Sequence, residues 1–249
     1  MSVVHLILFS LRSNQICLTD ITTSKLPLIL NIETSTKNCS VALFSESKLI
    51  SEKSLLSEKH SHSETLTLFV EDVIKNSDYT LVDLDAISVS KGPGSYTGLR
   101  IGVSTAKGLS YSLDIPLISV PTLQSMAFNM SKNNSNYDLY CPMIDARRME
   151  VFSAFYDKDN NQVTEVRADI IDEESYKKEL ENKVLFFGDG ANKCKDVLTS
   201  GNAYFLDDFF PSATYMGILS LEKYNNKDFE DVAYFEPFYL KDFVVGKKN

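Results

Sequence analysis

Three acids stand where apolar segments end: Glu33, Asp145 and Asp189. Carboxylates so placed on opposite walls of a cleft can hold Mg²⁺ or take a proton from an attacking hydroxyl. Two glycine-rich turns accompany them, Gly92-Pro93-Gly94-Ser95 and Gly188-Asp189-Gly190, and each can present backbone N–H groups to an anion. Arg147-Arg148 adds a pair of guanidinium groups at a polar turn. The residues expected at a nucleotide or anion are therefore Glu33, Ser35, Arg147, Gly188, Asp189 and Gly190. Strong phosphate chemistry is disfavoured, because the turn after Glu33, Thr34-Ser35-Thr36-Lys37-Asn38, has no glycine for close approach. There is no Gly-x-x-x-x-Gly-Lys-Ser/Thr loop, no His-Glu-x-x-His and no Gly-x-Ser-x-Gly elbow. His60 and His62 are two apart at a helix start, which reads as a solvated loop, and Cys17, Cys39, Cys141 and Cys194 form no Cys-x-x-Cys pair. No catalytic residue, metal or cofactor is expected. The competing enzyme reading is a nucleotide-dependent phosphotransferase using Glu33, Asp145 and Asp189.

Positioning these residues requires strands that end at the acids. The hydrophobic pattern predicts strands over 28–33, 39–44 and 49–55 and a helix carrying Leu66, Phe69, Val70, Val73 and Ile74. A buried strand over 86–90 follows, then a helix from Ser95 to about Ser112, and an apolar stretch near 117–120. The second half repeats the order, with strands over 139–145, 149–156 and 162–168, a helix over 173–182 and a strand over 184–187. We read a duplicated βββαβα unit, an α/β plan of the actin-like ATPase (ribonuclease H-like) type, with two lobes around a cleft. The lobes are expected at 27–128 and 129–249, after an extension at 1–26. A helix near 211–224 is expected to pack back on the first lobe.

The faces of the first two helices carry a second signal. Leu68, Thr65 and Thr67 leave the outer side of the first helix less charged than a free surface helix. On the second, Gly98 and Gly102 share a face that Thr105 and Ala106 continue. Each glycine costs about 1 kcal/mol against alanine within a helix. Close packing inside the chain and close approach of a partner's helix both account for them.

Among 249 residues, 25 are Lys or Arg and 34 are Asp or Glu, a net charge of −9. Such a chain repels phosphate backbones at long range, so a nucleic acid would have to be held mostly by a partner. The apolar run Val3–Leu11 is shorter than the ~20 residues of a membrane span and has no basic residue before it, so a cytoplasmic protein without membrane contact is expected.

Specific strings carry a family resemblance. Asn31-Ile32-Glu33-Thr34-Ser35-Thr36, His62-Ser63-Glu64-Thr65-Leu66, Gly92-Pro93-Gly94-Ser95-Tyr96-Thr97-Gly98-Leu99-Arg100, Asp145-Ala146-Arg147-Arg148-Met149-Glu150 and Pro237-Phe238-Tyr239-Leu240 closely resemble the TsaB (YeaZ) family. The resemblance implies a non-catalytic subunit of the bacterial machinery that makes threonylcarbamoyladenosine beside the tRNA anticodon. It implies pairing with a catalytic TsaD-like paralogue and a TsaE-like ATPase, a homodimer when isolated, and contact with tRNA only through the complex. The pairing surface it implies lies on the first two helices and includes His62, Leu66, Phe69, Ser95, Tyr96, Thr97, Gly98, Arg100, Gly102 and Thr105. Where the catalytic paralogue carries two metal-binding histidines, this chain has Val120-Pro121-Thr122-Leu123-Gln124-Ser125-Met126, and Thr122 and Met126 do not replace imidazoles. Lys241 stands where the family usually has Arg.

Overall fold

A computed structural model describes residues 26–57 and 62–241. The Val3–Leu11 run, Cys17, His60 and the extension before residue 26 lie outside the described residues. Two sheets form. The first contains β1 (Leu28–Glu33), β2 (Asn38–Ser45), β3 (Lys48–Leu56), β4 (Ala86–Ser90) and β5 (Leu117–Val120) in the order β3-β2-β1-β4-β5. The second contains β6 (Leu139–Asp145), β7 (Glu150–Ser153), β9 (Arg167–Ile170), β10 (Val184–Phe187) and β11 (Ala203–Leu206) in the order β11-β10-β6-β7-β9, with β8 (Tyr156–Asp157) beside β6.

The two orders are the same topology. β1 runs antiparallel to β2 and parallel to β4, and β6 runs antiparallel to β7 and parallel to β10. β1, Leu-Ile-Leu-Asn-Ile-Glu, is buried along its whole length, as a central strand covered on both faces must be. Helix α1 (His62–Lys75) crosses from β3 to β4 and α2 (Tyr96–Leu113) from β4 to β5; both cover the same face of the first sheet. Leu66, Phe69, Val70 and Val73 of α1 and Val103 and Ala106 of α2 pack there with Leu30, Ile32, Ile87 and Val89. Each large aliphatic side chain so buried contributes about 1.5–3 kcal/mol.

The duplication holds for the strands and fails for the helices of the second unit. The expected helix over 173–182 is a series of turns ending in a 3₁₀ turn at Glu179–Glu181. Tyr176 explains this: it takes φ +61° and sends its hydroxyl to Asp169 Oδ2 (2.9 Å) and Ser153 Oγ (2.8 Å), while its ring packs on Phe155 and Phe186. Good helix formers with only Tyr176 and Leu180 as apolar residues cannot outweigh that anchor. The turn after β10 likewise opens no helix, only a 3₁₀ turn at Asn192–Cys194. The strand expected over 149–156 breaks at Ala154 into β7 and β8, and the one expected over 162–168 forms later, as β9.

Two helices bind the units together. Helix α3 (Thr122–Asn133), which the sequence reading did not contain, spans the position between residues 128 and 129 and packs Leu123, Met126, Ala127 and Met130 against Tyr140, Ile144 and Phe187 of the second unit. Helix α4 (Gly217–Asn225), preceded by a 3₁₀ turn at Ala213–Tyr215, does the reverse. Met216 and Leu219 pack on Ile29, Ala86, Ile118 and Val120 of the first sheet. Each closing helix thus covers the other unit's sheet. Hydrogen bonds fix the exchange, from Asn38 Nδ2 to Pro211 O and from Ala213 N–H to Ser40 Oγ, both 2.8 Å. Residues 230–238 then run back along the first unit, where Glu230 N–H donates to Leu117 O and Phe238 N–H to Lys91 O, and Leu240 and Lys241 reach the second unit. Among the described residues no helix is long and apolar enough to cross a membrane.

Candidate functional site

The first-unit turn that would face a phosphate is filled by the chain itself. Thr34, Ser35 and Thr36 are buried, and the start of α2 sits on them. Ser95 N–H donates to Ser35 O (2.6 Å) and Thr34 Oγ1 to Gly98 O (2.8 Å). A Cβ on Gly94 or Gly98 would lie within 3.0 Å of the backbone oxygen of Ser35 or Thr34, and one on Gly102 equally close to Thr34 Oγ1. The glycine stripe therefore admits the β1–β2 turn of its own chain. This corrects the expectation that Gly98 and Gly102 open the way for a partner's helix. At the start of α2, Ser95 N–H is taken by Ser35 O and Gly98 N–H by the Ser95 hydroxyl, so these donors are engaged within the chain rather than offered to an anion.

Glu33 is fully buried behind this turn. Its Oε1 accepts Ser35 N–H at 2.6 Å, while Oε2 finds no hydrogen-bond partner among the described residues. Burial raises its pKa above the ordinary carboxylate value, and the Ser35 hydrogen bond only partly opposes this. Because the folded chain holds this proton more tightly than the unfolded one, the stabilisation is complete below about pH 4.5 and is lost as pH rises through the folded pKa. Glu33→Gln keeps the acceptor and removes the titration. We expect the variant's stability, relative to wild type, to increase as pH rises across that window. Urea unfolding from pH 4 to 8 measures the difference, and a pH-independent gap would refute the assignment.

On the second unit the acids do meet. Asp145 N–H donates to Asp189 Oδ1 (3.0 Å), and Lys193 pairs with the Asp145 carboxylate. Burial raises the Asp189 pKa, the Asp145 charge adds to the rise, and Lys37 and Lys193 oppose it. The cleft beside them, about 210 Å³, is walled by Lys37, Asp145, Asp189, Asn192, Asp207 and Asp208. Gly188 takes φ +108° there, a conformation that favours glycine, so the chain can turn sharply after β10. Glu33 is fully buried and is not among the residues that wall this cleft, so the three acids of the phosphotransferase reading do not share it. Nor do any three His, Cys, Asp or Glu side chains of the described residues group as a metal site.

The ten residues placed at a pairing surface divide in two. His62, Leu66, Phe69, Gly98 and Gly102 are buried within the chain. His62, read from sequence as solvated, is 3% exposed with Nε2 at 2.7 Å from Thr36 O. Ser95 caps α2, its hydroxyl accepting Gly98 N–H. Thr97 and Arg100 are exposed and Tyr96 and Thr105 half-buried; Arg100 lies over the Tyr96 ring, which packs on Tyr239. Between α1 and α2 opens an apolar groove of about 440 Å³, lined chiefly by Val70, Ile74, Leu81, Thr105 and Leu109. Leu68, 57% exposed, and Tyr111, 83% exposed, lie on the same two helices. Leu81 and Leu109 were not singled out from sequence. Leu109 continues the Gly102–Thr105 side of α2 at helical spacing, which is the signal that marks it.

Two five-strand 3-2-1-4-5 units with exchanged closing helices and acids at their first hairpins define the actin-like ATPase (ASKHA) fold. YeaZ from Pseudomonas aeruginosa superposes with a TM-score of 0.76 over 86% of this chain and all of that one, at 22% identity. A family model described as tRNA N6-adenosine threonylcarbamoyltransferase (TsaD) matches residues 52–242. The tRNA threonylcarbamoyladenosine biosynthesis protein TsaB of Escherichia coli is 30% identical over 229 residues, 88% of this chain and 97% of the relative. The protein of the same name from Bacillus subtilis is 36% identical over 175 residues, 68% and 74% of the two chains. The chain belongs to the TsaB (YeaZ) family within that wider group.

Proposed function

We propose that this protein is a non-catalytic partner subunit in the biosynthesis of threonylcarbamoyladenosine on tRNA, and that it acts by docking a TsaD-like catalytic subunit on the α1–α2 groove. The observation that carries the reading is that groove, an apolar cleft between the two helices that cover the first-unit core, where Val70, Ile74 and Leu109 at the margin of that core remain open to the outside. Surfaces of this kind are where soluble chains associate. Family membership supplies the partner's chemistry, since relatives of this chain are named for the same tRNA modification. The filled first-unit turn supports a subunit without its own turnover, because its N–H groups at Ser35 and Asn38 and that of Ser95 above it are bonded within the chain instead of facing a nucleotide's phosphates. A TsaE-like ATPase joins the assembly in this reading, a homodimer through the same face is the form of the isolated chain, and the complex works in the cytoplasm.

Co-expression with a TsaD-like subunit tests the reading: a complex of the summed mass, active in tRNA modification when the remaining components are supplied, is expected. Failure of the wild type both to associate and to support modification would refute it. The net charge of −9 adds a second expectation, that the chain alone binds tRNA only weakly. Submicromolar binding by the isolated chain at physiological salt, read by filter binding or anisotropy, would contradict this division of labour.

A further inference from the structure

The β6–β7 hairpin turns on Arg147 and Arg148, which are exposed and take φ +73° and +51°. Left-handed backbone at two successive non-glycine residues is uncommon. It is held here by hydrogen bonds from Arg147 N–H to Asp145 Oδ1 (3.0 Å), from Glu150 N–H to Arg147 O (3.1 Å) and from Ala146 N–H to Glu150 O (3.1 Å). The two acids flanking the turn are already engaged. Asp145 pairs with Lys193, which also donates to Glu150 O, and Glu150 pairs with Lys241 at the end of the returning strap. Neither carboxylate neutralises the arginines. Of the other arginines described, Arg100 lies over a tyrosine ring and Arg167 pairs with Asp169 at 3.5 Å. Among the described residues Arg147 and Arg148 meet neither a carboxylate nor a ring, so an acidic chain holds two adjacent guanidinium groups uncompensated by those residues on a fixed turn.

We propose that Arg147 and Arg148 contact backbone phosphate groups of the tRNA when this chain is in its assembly. The proposal rests on the function proposed above. Guanidinium forks suit phosphate oxygens, and two of them at a projecting tip position a polyanion without needing to enclose it. A free nucleotide fits the same place poorly. To be enclosed it would have to enter the neighbouring cleft, where Lys193 and Lys195 are already paired with Asp145 and Asp207 and the wall also carries Asp189 and Asp208 beside Lys37, which leaves little positive charge for its phosphates.

The test is tRNA binding by the assembled complex at a series of salt concentrations, with wild type, Arg147→Asn/Arg148→Asn and Arg147→Lys/Arg148→Lys chains. Asn removes the charge yet tolerates the left-handed backbone. The Asn double variant is expected to weaken tRNA binding about 10-fold at physiological salt and to make the log K against log salt slope shallower by about 1 to 2, as loss of two phosphate contacts requires. The Lys double variant should keep the wild-type slope. Pairing with the catalytic subunit should be unchanged in both. Unaltered affinity and slope with the Asn variant would overturn the proposal, as would loss of subunit pairing, which would make the tip a protein contact. Tight pyrophosphate or ATP binding by the isolated chain, abolished in the Asn variant, would overturn it in favour of a nucleotide site. A wild-type assembly that does not form, or forms and does not bind tRNA, would instead overturn the underlying reading.

Discussion

Gly98→Ala is expected to destabilise the chain by about 3 kcal/mol or more, although the same change ordinarily strengthens a helix by about 1 kcal/mol. The added methyl would fall on the backbone oxygen of Thr34, which cannot rotate away because Ser35 O is held by Ser95 N–H, Thr34 Oγ1 by Gly98 O, and β1 lies at the centre of the sheet. A loss of this size is a large part of the 5–15 kcal/mol that keeps a domain folded, and Gly98→Leu should abolish folding altogether. Gly108 is the control. It lies in the same helix, is exposed, and among the described residues has no atom within 4 Å of a Cβ placed on it, so Gly108→Ala should stabilise by about 0.5–1 kcal/mol. Chemical denaturation of the three variants checks both signs. Gly98→Ala as stable as wild type would show that α2 is not seated on the turn as described.

That result would also separate two explanations that sequence alone leaves level. Glycines four apart on a helix say that something comes close; they do not say what. The answer lies in the packing of the turn at Thr34 under a helix residue 64 positions away, and nothing local encodes that distance. His62 was misread for the same reason, since its place under Thr36 depends on how α1 crosses β2. Strands β1, β4, β6 and β10 were legible because a strand covered on both faces is a short, largely apolar run, whatever its neighbours. The repeated acid-turn-strand sequence located both first hairpins as well.

The errors fall where a tertiary contact overrides local preference. The segment 173–182 is rich in helix formers, but Tyr176 bonds to Ser153 and Asp169 and the chain follows that anchor. Helix α3 was readable in principle. Leu123, Met126, Ala127 and Met130 have the spacing of a buried helix face, and Pro121 precedes it. The anion-site residues show the same limit, because Asp145 and Asp189 converge through pairing of β6 with β10 whereas Glu33, in the matching position of the first unit, is sealed by α2.

Thr105→Glu is expected to leave the fold intact and to weaken pairing with the catalytic-type subunit by about 30-fold to 1,000-fold. Thr105 is half-buried on the groove wall, so the new carboxylate can reach water in the free chain and pays its desolvation cost only when a partner covers it. A loss of 2–4 kcal/mol is the usual consequence of disrupting a buried interface centre, and it gives that range. Leu68→Glu, on the exposed side of α1, should act in the same direction by a smaller factor. Ile170→Glu provides the comparison, since Ile170 is 74% exposed on β9 of the other unit and lies outside the groove. It should change neither stability nor pairing. Association measured by calorimetry, with unfolding curves for each variant, distinguishes the outcomes. A folded Thr105→Glu chain that pairs normally would remove the groove from the interface while leaving family membership untouched. Loss of pairing with Ile170→Glu would move the docking face to the second unit. If pairing and modification fall together in Thr105→Glu at unchanged stability, the outer faces of α1 and α2 serve association, while their inner faces hold the sheet and the buried turn that carries Glu33.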